Sequence, residues 1–158
     1  MKLVVILPTY NERDNIITLL DALSVVCRNI RTYDISYLVV DDNSSDGTKE
    51  QVTEYQKNHA DVFLLSGKKE GLGKALLRGM TYAVGTLHAG VILQMDADLS
   101  HDPKTAPAFI RSIEEGNDFV VGSRYIPGGS IPANWGLHRK LFSVIGNAFV
   151  RFGLGYPF

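Results

Sequence analysis

Five short runs of β-branched and large aliphatic residues, at 3–7, 35–40, 62–65, 91–95 and 119–121, punctuate this chain, with longer helix-periodic segments between them. That alternation constrains the fold more than any other feature. Strands that are apolar on both faces must be covered on both faces, which calls for a mainly parallel sheet flanked by helices and connected by crossovers. The helical stripes are legible in the residues. Ile16, Leu19, Leu20 and Leu23 recur at i, i+3, i+4 and i+7, and so do Leu72, Ala75, Leu76, Gly79, Met80 and Ala83. The expected class is therefore α/β. In open sheets of this kind ligands bind outside the carboxyl ends of the strands. Every unusual polar group falls there: Thr9 to Glu12 after the first run, Asp41 to Asn43 at the second, Ser66 to Lys69 at the third, Asp96 to Asp98 at the fourth and Gly122 to Arg124 at the fifth.

The 158 residues amount to one domain, and a domain of this size buries about 68–70% of the surface of its unfolded chain. With 45% hydrophobic and 21% charged residues, close to ordinary globular usage, disorder and collagen-like or coiled-coil architectures are poor fits. A net charge of -1 provides no field to gather nucleic acid, so no nucleic-acid partner is expected. The single cysteine, Cys27, lies within an apolar-periodic segment and reads as a buried, inert thiol, consistent with a reducing, cytoplasmic compartment. The opening apolar run is too short for a secretion signal, and no stretch reaches the roughly 20 apolar residues of a membrane span. Membrane contact is therefore expected to be peripheral.

Asp96 and Asp98 sit two residues apart where a strand gives way to a loop, so both carboxylates can converge on one cation that also touches substrate phosphates. Hard oxygen ligands suit Mg2+ or Mn2+. Helix capping does not account for them, because Asp102 before Pro103 already supplies an N-cap. Asp41 and Asp42 form a second acidic pair, which repels itself unless donors or cations compensate; a ribose or a base edge offers such donors. Both are read as facing a ligand, and Asp46-Gly47 as turn and helix-start chemistry. Glu12 fits either a first-turn acid favoured by the helix dipole or a nucleotide contact. The loop from Lys68 to Lys74, with Gly71 and Gly73, could approach a phosphate or serve only as a connection. It is not a P-loop, and no G-x-G-x-x-G follows the first strand. Arg124 and Arg139 are candidates for phosphate binding. Segment 125–136 is a candidate substrate loop. The helix expected at 137–152 is apolar nearly all round, which suits either a core position or an acyl-chain contact at a membrane interface. The four histidines show no metal-ligand spacing, and no Ser-His-Asp elbow is present.

In order, PTYNE at 8–12, VVDDNSSDGT at 39–48, GLGKALLRG at 71–79, DADLSHDP at 96–103 and GSRY at 122–125 closely resemble the polyprenyl- (dolichyl-) phosphate mannose synthases, family-2 glycosyltransferases of GT-A fold. The resemblance continues through Gly128-Gly129, Trp135, Arg139-Lys140, Ser143 and Asn147. It implies that Pro8, Tyr10, Glu12, Val40 and Asp42 hold the guanosine of GDP-mannose, and that Asp96, Ala97 and Asp98 hold its diphosphate and a metal. Arg124, Arg139 and Ser143 would bind the phosphates of donor and acceptor. Ser100 stands where the family often has glutamine as a third metal-site ligand; being shorter, it leaves room for a bridging water. The expected division is a nucleotide-sugar core at 1–124, with an acceptor loop and amphipathic helix at 125–158. The implied activity is inverting transfer of mannose to a polyprenyl phosphate at the cytosolic face of a membrane. An acceptor already anionic at neutral pH needs no general base, which fits the absence of a catalytic histidine. Two other readings share these residues: transfer of another hexose such as glucose, and a nucleotide-sugar-binding module without turnover. Family domains usually continue beyond the equivalent of Phe158, so the acceptor side reads as C-terminally truncated, with a further segment or a membrane-anchoring partner expected to complete it.

Overall fold

The structure, a computed structural model, describes residues 1–123 and 136–154. It forms two compact units, Met1–Gly116 and Asn117–Phe158.

The first unit holds four strands, β1 (Lys2–Thr9), β2 (Asp34–Asp41), β3 (Val62–Ser66) and β4 (Ala89–Gln94), and four helices, α1 (Arg13–Cys27), α2 (Thr48–Gln56), α3 (Leu72–Gly85) and α4 (Ala106–Glu114). All strand pairs are parallel, in the order β3-β2-β1-β4. β1 is therefore central, and its apolar run explains why: Leu3 through Leu7 are all fully buried, each worth about 1.5–3 kcal/mol in transfer terms. The pleat sends alternate residues to opposite faces. Leu3, Val5 and Leu7 join the stripe of α1 (Ile16, Leu19, Leu20 and Leu23), together with Val52 of α2 and Ile110 of α4. Val4 and Ile6 join Leu38, Val40 and the Ala75 and Ala83 positions of α3 on the other face.

Two expectations are corrected. The stripe of α3 is narrower than its periodicity promised: Ala75, Gly79 and Ala83 are buried, while Leu72 and Met80 are exposed. Small residues win because the helix lies close to the sheet; a Cβ on Gly79 would stand 2.9 Å from Val40 Cγ2 and 3.1 Å from Ile6 Cγ2. The fifth strand, expected at 119–121, is not formed. Phe119 and Val121 are largely exposed and lie in irregular backbone. A run of three apolar residues contributes few ladder bonds and no strand by itself. The 3₁₀ turn at Pro103–Thr105 begins as expected, with Asp102 Oδ1 accepting from the Lys104 N–H at 3.0 Å.

In the second unit, α5 (Leu137–Leu154) runs two residues past its expected end. Leu141, Phe142, Val144, Ile145, Phe149 and Phe152 are exposed. Among the described residues no helix is long and apolar enough to cross a membrane.

Candidate active site

The strand order places the topological switch between β1 and β4, since the chain runs outward through β2 and β3 and then returns to the opposite side of β1. The carboxyl ends of those strands carry the polar residues picked out in the sequence.

The loops after β1 and β2 are tied together. Asn11 donates its N–H to Ser44 Oγ at 2.9 Å and accepts at Oδ1 from the Ser45 N–H at 3.0 Å. The Glu12 N–H donates to Thr48 Oγ1 at 3.0 Å, and the Arg13 N–H to Asp46 Oδ2 at 3.0 Å. Asn11 and Asn43 take left-handed backbone at φ +59°, a conformation asparagine tolerates better than most residues. Asp46-Gly47 does start a helix as expected. Gly47 sits at φ +96°, and Asp46 Oδ1 accepts from both the N–H and the hydroxyl of Thr48. Glu12 occupies the N-cap position of α1, where its carbonyl receives the Asn15 and Ile16 N–H groups and its carboxylate accepts from Asn15 Nδ2 at 2.8 Å.

The two members of the acidic pair have different fates. Asp41 is fully buried and satisfied within the protein, accepting from the Thr9 hydroxyl at 3.2 Å and from the N–H and hydroxyl of Ser44 at 3.0 and 2.5 Å. The expectation that it faces a ligand is corrected: it locks the β1 and β2 loops. Asp42, also nearly buried, is paired at Oδ1 with Nη2 of Arg78, which rises from α3. Arg78 lies within the GLGKALLRG segment, but its pairing with Asp42 follows from how α3 lies on the sheet and not from that motif.

Tyr10 is partly exposed, and Lys69 Nζ lies 3.4 Å from the centre of its ring, a cation–π contact that draws the loop after β3 toward the loop after β1. Lys74 pairs with Glu70, and Gly71 at φ +97° turns the chain into α3. Val40 is fully buried with its side chain in the core, so only its main chain is left to meet a ligand; Pro8 stands opposite it in the β1–β2 register.

Beyond β4, the Met95 N–H continues the ladder to the Ile6 carbonyl at 3.1 Å. Asp96 is partly exposed, Ala97 is buried beneath it, and Leu99 at φ +59° bends the chain sharply. Asp98 Oδ1 accepts from the Ser100 N–H at 2.9 Å. The Ser100 side chain and N–H, aided by nearby His101, hold the Asp98 carboxyl below its ordinary value. It is therefore anionic at neutral pH. His101 also engages Asp96: its Nδ1 accepts from the Asp96 N–H at 3.3 Å, and its Nε2 lies 3.7 Å from Asp96 Oδ2. Spacing alone does not signal this partnership, because it depends on the bend at Leu99.

Among the described residues no group of three histidine, cysteine or acidic side chains is gathered into a metal cage. Two carboxylates at a loop, one held anionic, fit a hard divalent cation that takes its remaining ligands from substrate phosphates and water. Arg124 lies outside the described residues, as does nearly all of the expected substrate loop; Arg139 and Ser143 lie on α5 in the second unit.

An open parallel sheet with a two-carboxylate rim beside its switch point is the architecture of nucleotide-sugar transferases, and the GT-A class expected from the sequence is the one observed. The sequence matches the family described as Glycosyl transferase family 2 across residues 4–156, and the chain belongs to that family. It is 39% identical over 143 residues to a dolichol-phosphate mannosyltransferase of Pyrococcus furiosus, covering 90% of this chain and 38% of the relative. It is 35% identical over 153 residues to a polyprenol monophosphomannose synthase of Mycolicibacterium smegmatis, covering 96% of this chain and 55% of the relative. The chain thus spans between about two fifths and just over half of these relatives' lengths. Among solved structures, the mannosyltransferase PcManGT of Pyrobaculum calidifontis, in complex with GDP-Man and Mn2+, superimposes with a TM-score of 0.57 at 24% identity, over 78% of this chain and 36% of that one.

Proposed function

We propose that this chain forms the nucleotide-sugar side of an inverting transferase that moves mannose from GDP-mannose to a polyprenyl phosphate. The observation that carries this reading is the placement of Asp96 and Asp98 immediately after β4, beside the switch point, with Asp98 held anionic by Ser100. The names of the two curated relatives support the lipid phosphate as acceptor and mannose as the sugar.

In this reading Pro8, Tyr10, Glu12, Asp42 and the main chain of Val40 hold the nucleoside. Asp96, Ala97 and Asp98, with Ser100 behind them, receive the diphosphate and a Mg2+ or Mn2+ ion. Asp96 and Asp98 would hold the divalent ion, and its chemistry there would be to neutralise charge on the departing diphosphate. Asp96 and Asp98 act as ligands and not as proton carriers. The acceptor phosphate is already an anion, so orientation beside the anomeric carbon replaces base catalysis, and Arg124, Arg139 and Ser143 supply phosphate contacts. Displacement from the side opposite the diphosphate inverts the anomeric centre. The apolar residues of α5 supply the contact with lipid, which makes the association with the cytosolic membrane face peripheral.

The test is a panel of labelled nucleotide sugars, GDP-mannose and UDP-glucose included, incubated with the chain, a polyprenyl phosphate and either Mn2+ or Mg2+, followed by lipid extraction. Label should enter lipid from GDP-mannose alone, and both chelator and Asp98→Asn should lower the rate by about 100-fold or more. Transfer that survives chelator would overturn the metal role. Transfer from UDP-glucose would reassign the donor, and label retained by protein but never reaching lipid would identify a binding module.

A further inference from the structure

We infer that His101 is a positioning residue for the metal site: its imidazole spans the main-chain N–H and the carboxylate of Asp96 and fixes the direction in which that carboxylate meets a divalent cation. This deepens the metal reading of Asp96 and Asp98 and rests on it.

The two carboxylates are held in different ways. Asp98 is fixed within its own turn, with Oδ1 accepting from the Ser100 N–H at 2.9 Å. Asp96 has no such turn. Its side chain is 40% exposed, and among the described residues the one group that faces its carboxylate is His101, with Nε2 3.7 Å from Oδ2. Without that ring the carboxylate could rotate about its side-chain bonds, and the entropy lost in ordering it would subtract from cation binding.

The ring is itself anchored. The Met95 N–H is the last to reach β1, and the next, that of Asp96, donates to His101 Nδ1 at 3.3 Å. On one side of His101 the chain bends at Leu99, with φ +59°. On the other, Asp102 caps the 3₁₀ turn at Pro103–Thr105: its carboxylate takes the Lys104 N–H at 3.0 Å and its carbonyl the Thr105 hydroxyl at 2.7 Å. Ala106, directly after that turn, is fully buried, so the segment that carries His101 is tied to the core.

The hydrogen-bond roles of the ring decide what it can do. Accepting at Nδ1 leaves the ring proton on Nε2, and Nε2 is the atom turned toward Asp96 Oδ2. Neither nitrogen then has a lone pair to offer a metal ion, and Asp96, Asp98 and His101 do not form a three-ligand cage. His101 therefore acts through Asp96. At 3.7 Å the Nε2 contact is electrostatic and longer than a hydrogen bond; contacts of this kind commonly tighten once ligand is bound. Groups that orient a metal's ligands in this way are typically worth about 10- to 100-fold in metal affinity.

A purely structural histidine would need only Nδ1, to satisfy the Asp96 N–H. Asparagine can place an acceptor near the position of Nδ1, and glutamine an N–H near that of Nε2, so these two substitutions separate the roles. Mn2+ binding to the 158-residue chain in the presence of GDP would be measured by electron paramagnetic resonance. Metal-free GDP binding, circular dichroism and thermal melting serve as controls. His101→Ala and His101→Asn should each weaken Mn2+ binding by about tenfold or more, while His101→Gln should restore most of the affinity and metal-free GDP binding should not change. In an Asp96→Asn background His101→Ala should add nothing, because its effect passes through that carboxylate. Unchanged Mn2+ affinity in folded His101→Ala, full affinity in His101→Asn, or an undiminished effect in the Asp96→Asn background would overturn the positioning role. Imidazole-nitrogen hyperfine coupling in the Mn2+ spectrum would overturn it too, by making His101 a direct ligand. Each of these results leaves the metal site standing so long as Asp96→Asn and Asp98→Asn weaken Mn2+. If neither does, or if the unaltered chain binds no Mn2+ with GDP, the metal reading fails and this inference fails with it.

Discussion

At the scale of single residues, the rim shows how differently two adjacent carboxylates can be compensated. Asp41 and Asp42 are neighbours in sequence and both nearly buried, yet one is enclosed by Thr9 and Ser44 and the other is paired with Arg78. The strand-end position of the pair was legible in the sequence; the division of labour was not, because it depends on which side of β2 each side chain leaves and on what α3 brings to that side. Asp41→Asn puts an amide where the Ser44 N–H and hydroxyl need acceptors. It should destabilise the chain by about 2–3 kcal/mol, read as a lowered urea midpoint with an unchanged slope. The His101 contact with Asp96 was likewise invisible beforehand, since it follows from the bend at Leu99 and not from spacing.

At the scale of elements, periodicity identified α1 well because its stripe of large residues meets the sheet with no competing demand. The same rule over-assigned α3, where close approach to the sheet selects small side chains and leaves the large ones outward. Gly79→Val is the test. Valine gains no room against Val40 and Ile6, so overpacking should lower stability by about 1–3 kcal/mol even though valine exceeds glycine in helix propensity, and thermal melting reads the change. A melting temperature equal to or above that of the parent would show that α3 can lift from the sheet without penalty. The expected fifth strand failed for the opposite reason: a three-residue apolar run carries hydrophobicity but too few ladder bonds to specify pairing. Pattern therefore located every strand of the sheet and overstated one that has no partner among the described residues.

At the scale of the whole first unit, the sheet's amino-end rim has its own chemistry. Burial pushes the Cys27 thiol up from its ordinary value of 9.0 despite a hydrogen bond with Tyr37. The Tyr37 hydroxyl is raised well above 10.0, first by burial and then by the neighbouring Cys27 and Asp61. Both groups are neutral when folded, and unfolding releases them to ionise at their ordinary values. The stability they contribute is complete below about pH 9 and is lost as pH rises through the window between the unfolded and folded values, Cys27 first. Urea midpoints should fall between about pH 9 and about pH 11, and Cys27→Ala should delay the onset toward that of Tyr37. An unchanged midpoint across that range would show that neither group is shifted in solution. The order β3-β2-β1-β4 also bears on how the chain is made. β1 emerges first, finds β2 some 30 residues later and gains its second neighbour only after Gln94 has been synthesised. Until then a strand whose residues 3–7 are all apolar leaves the ribosome with one edge open, the kind of template on which nascent chains pair with one another. Chaperone occupancy during translation should therefore peak before β4 appears and decline once it has docked.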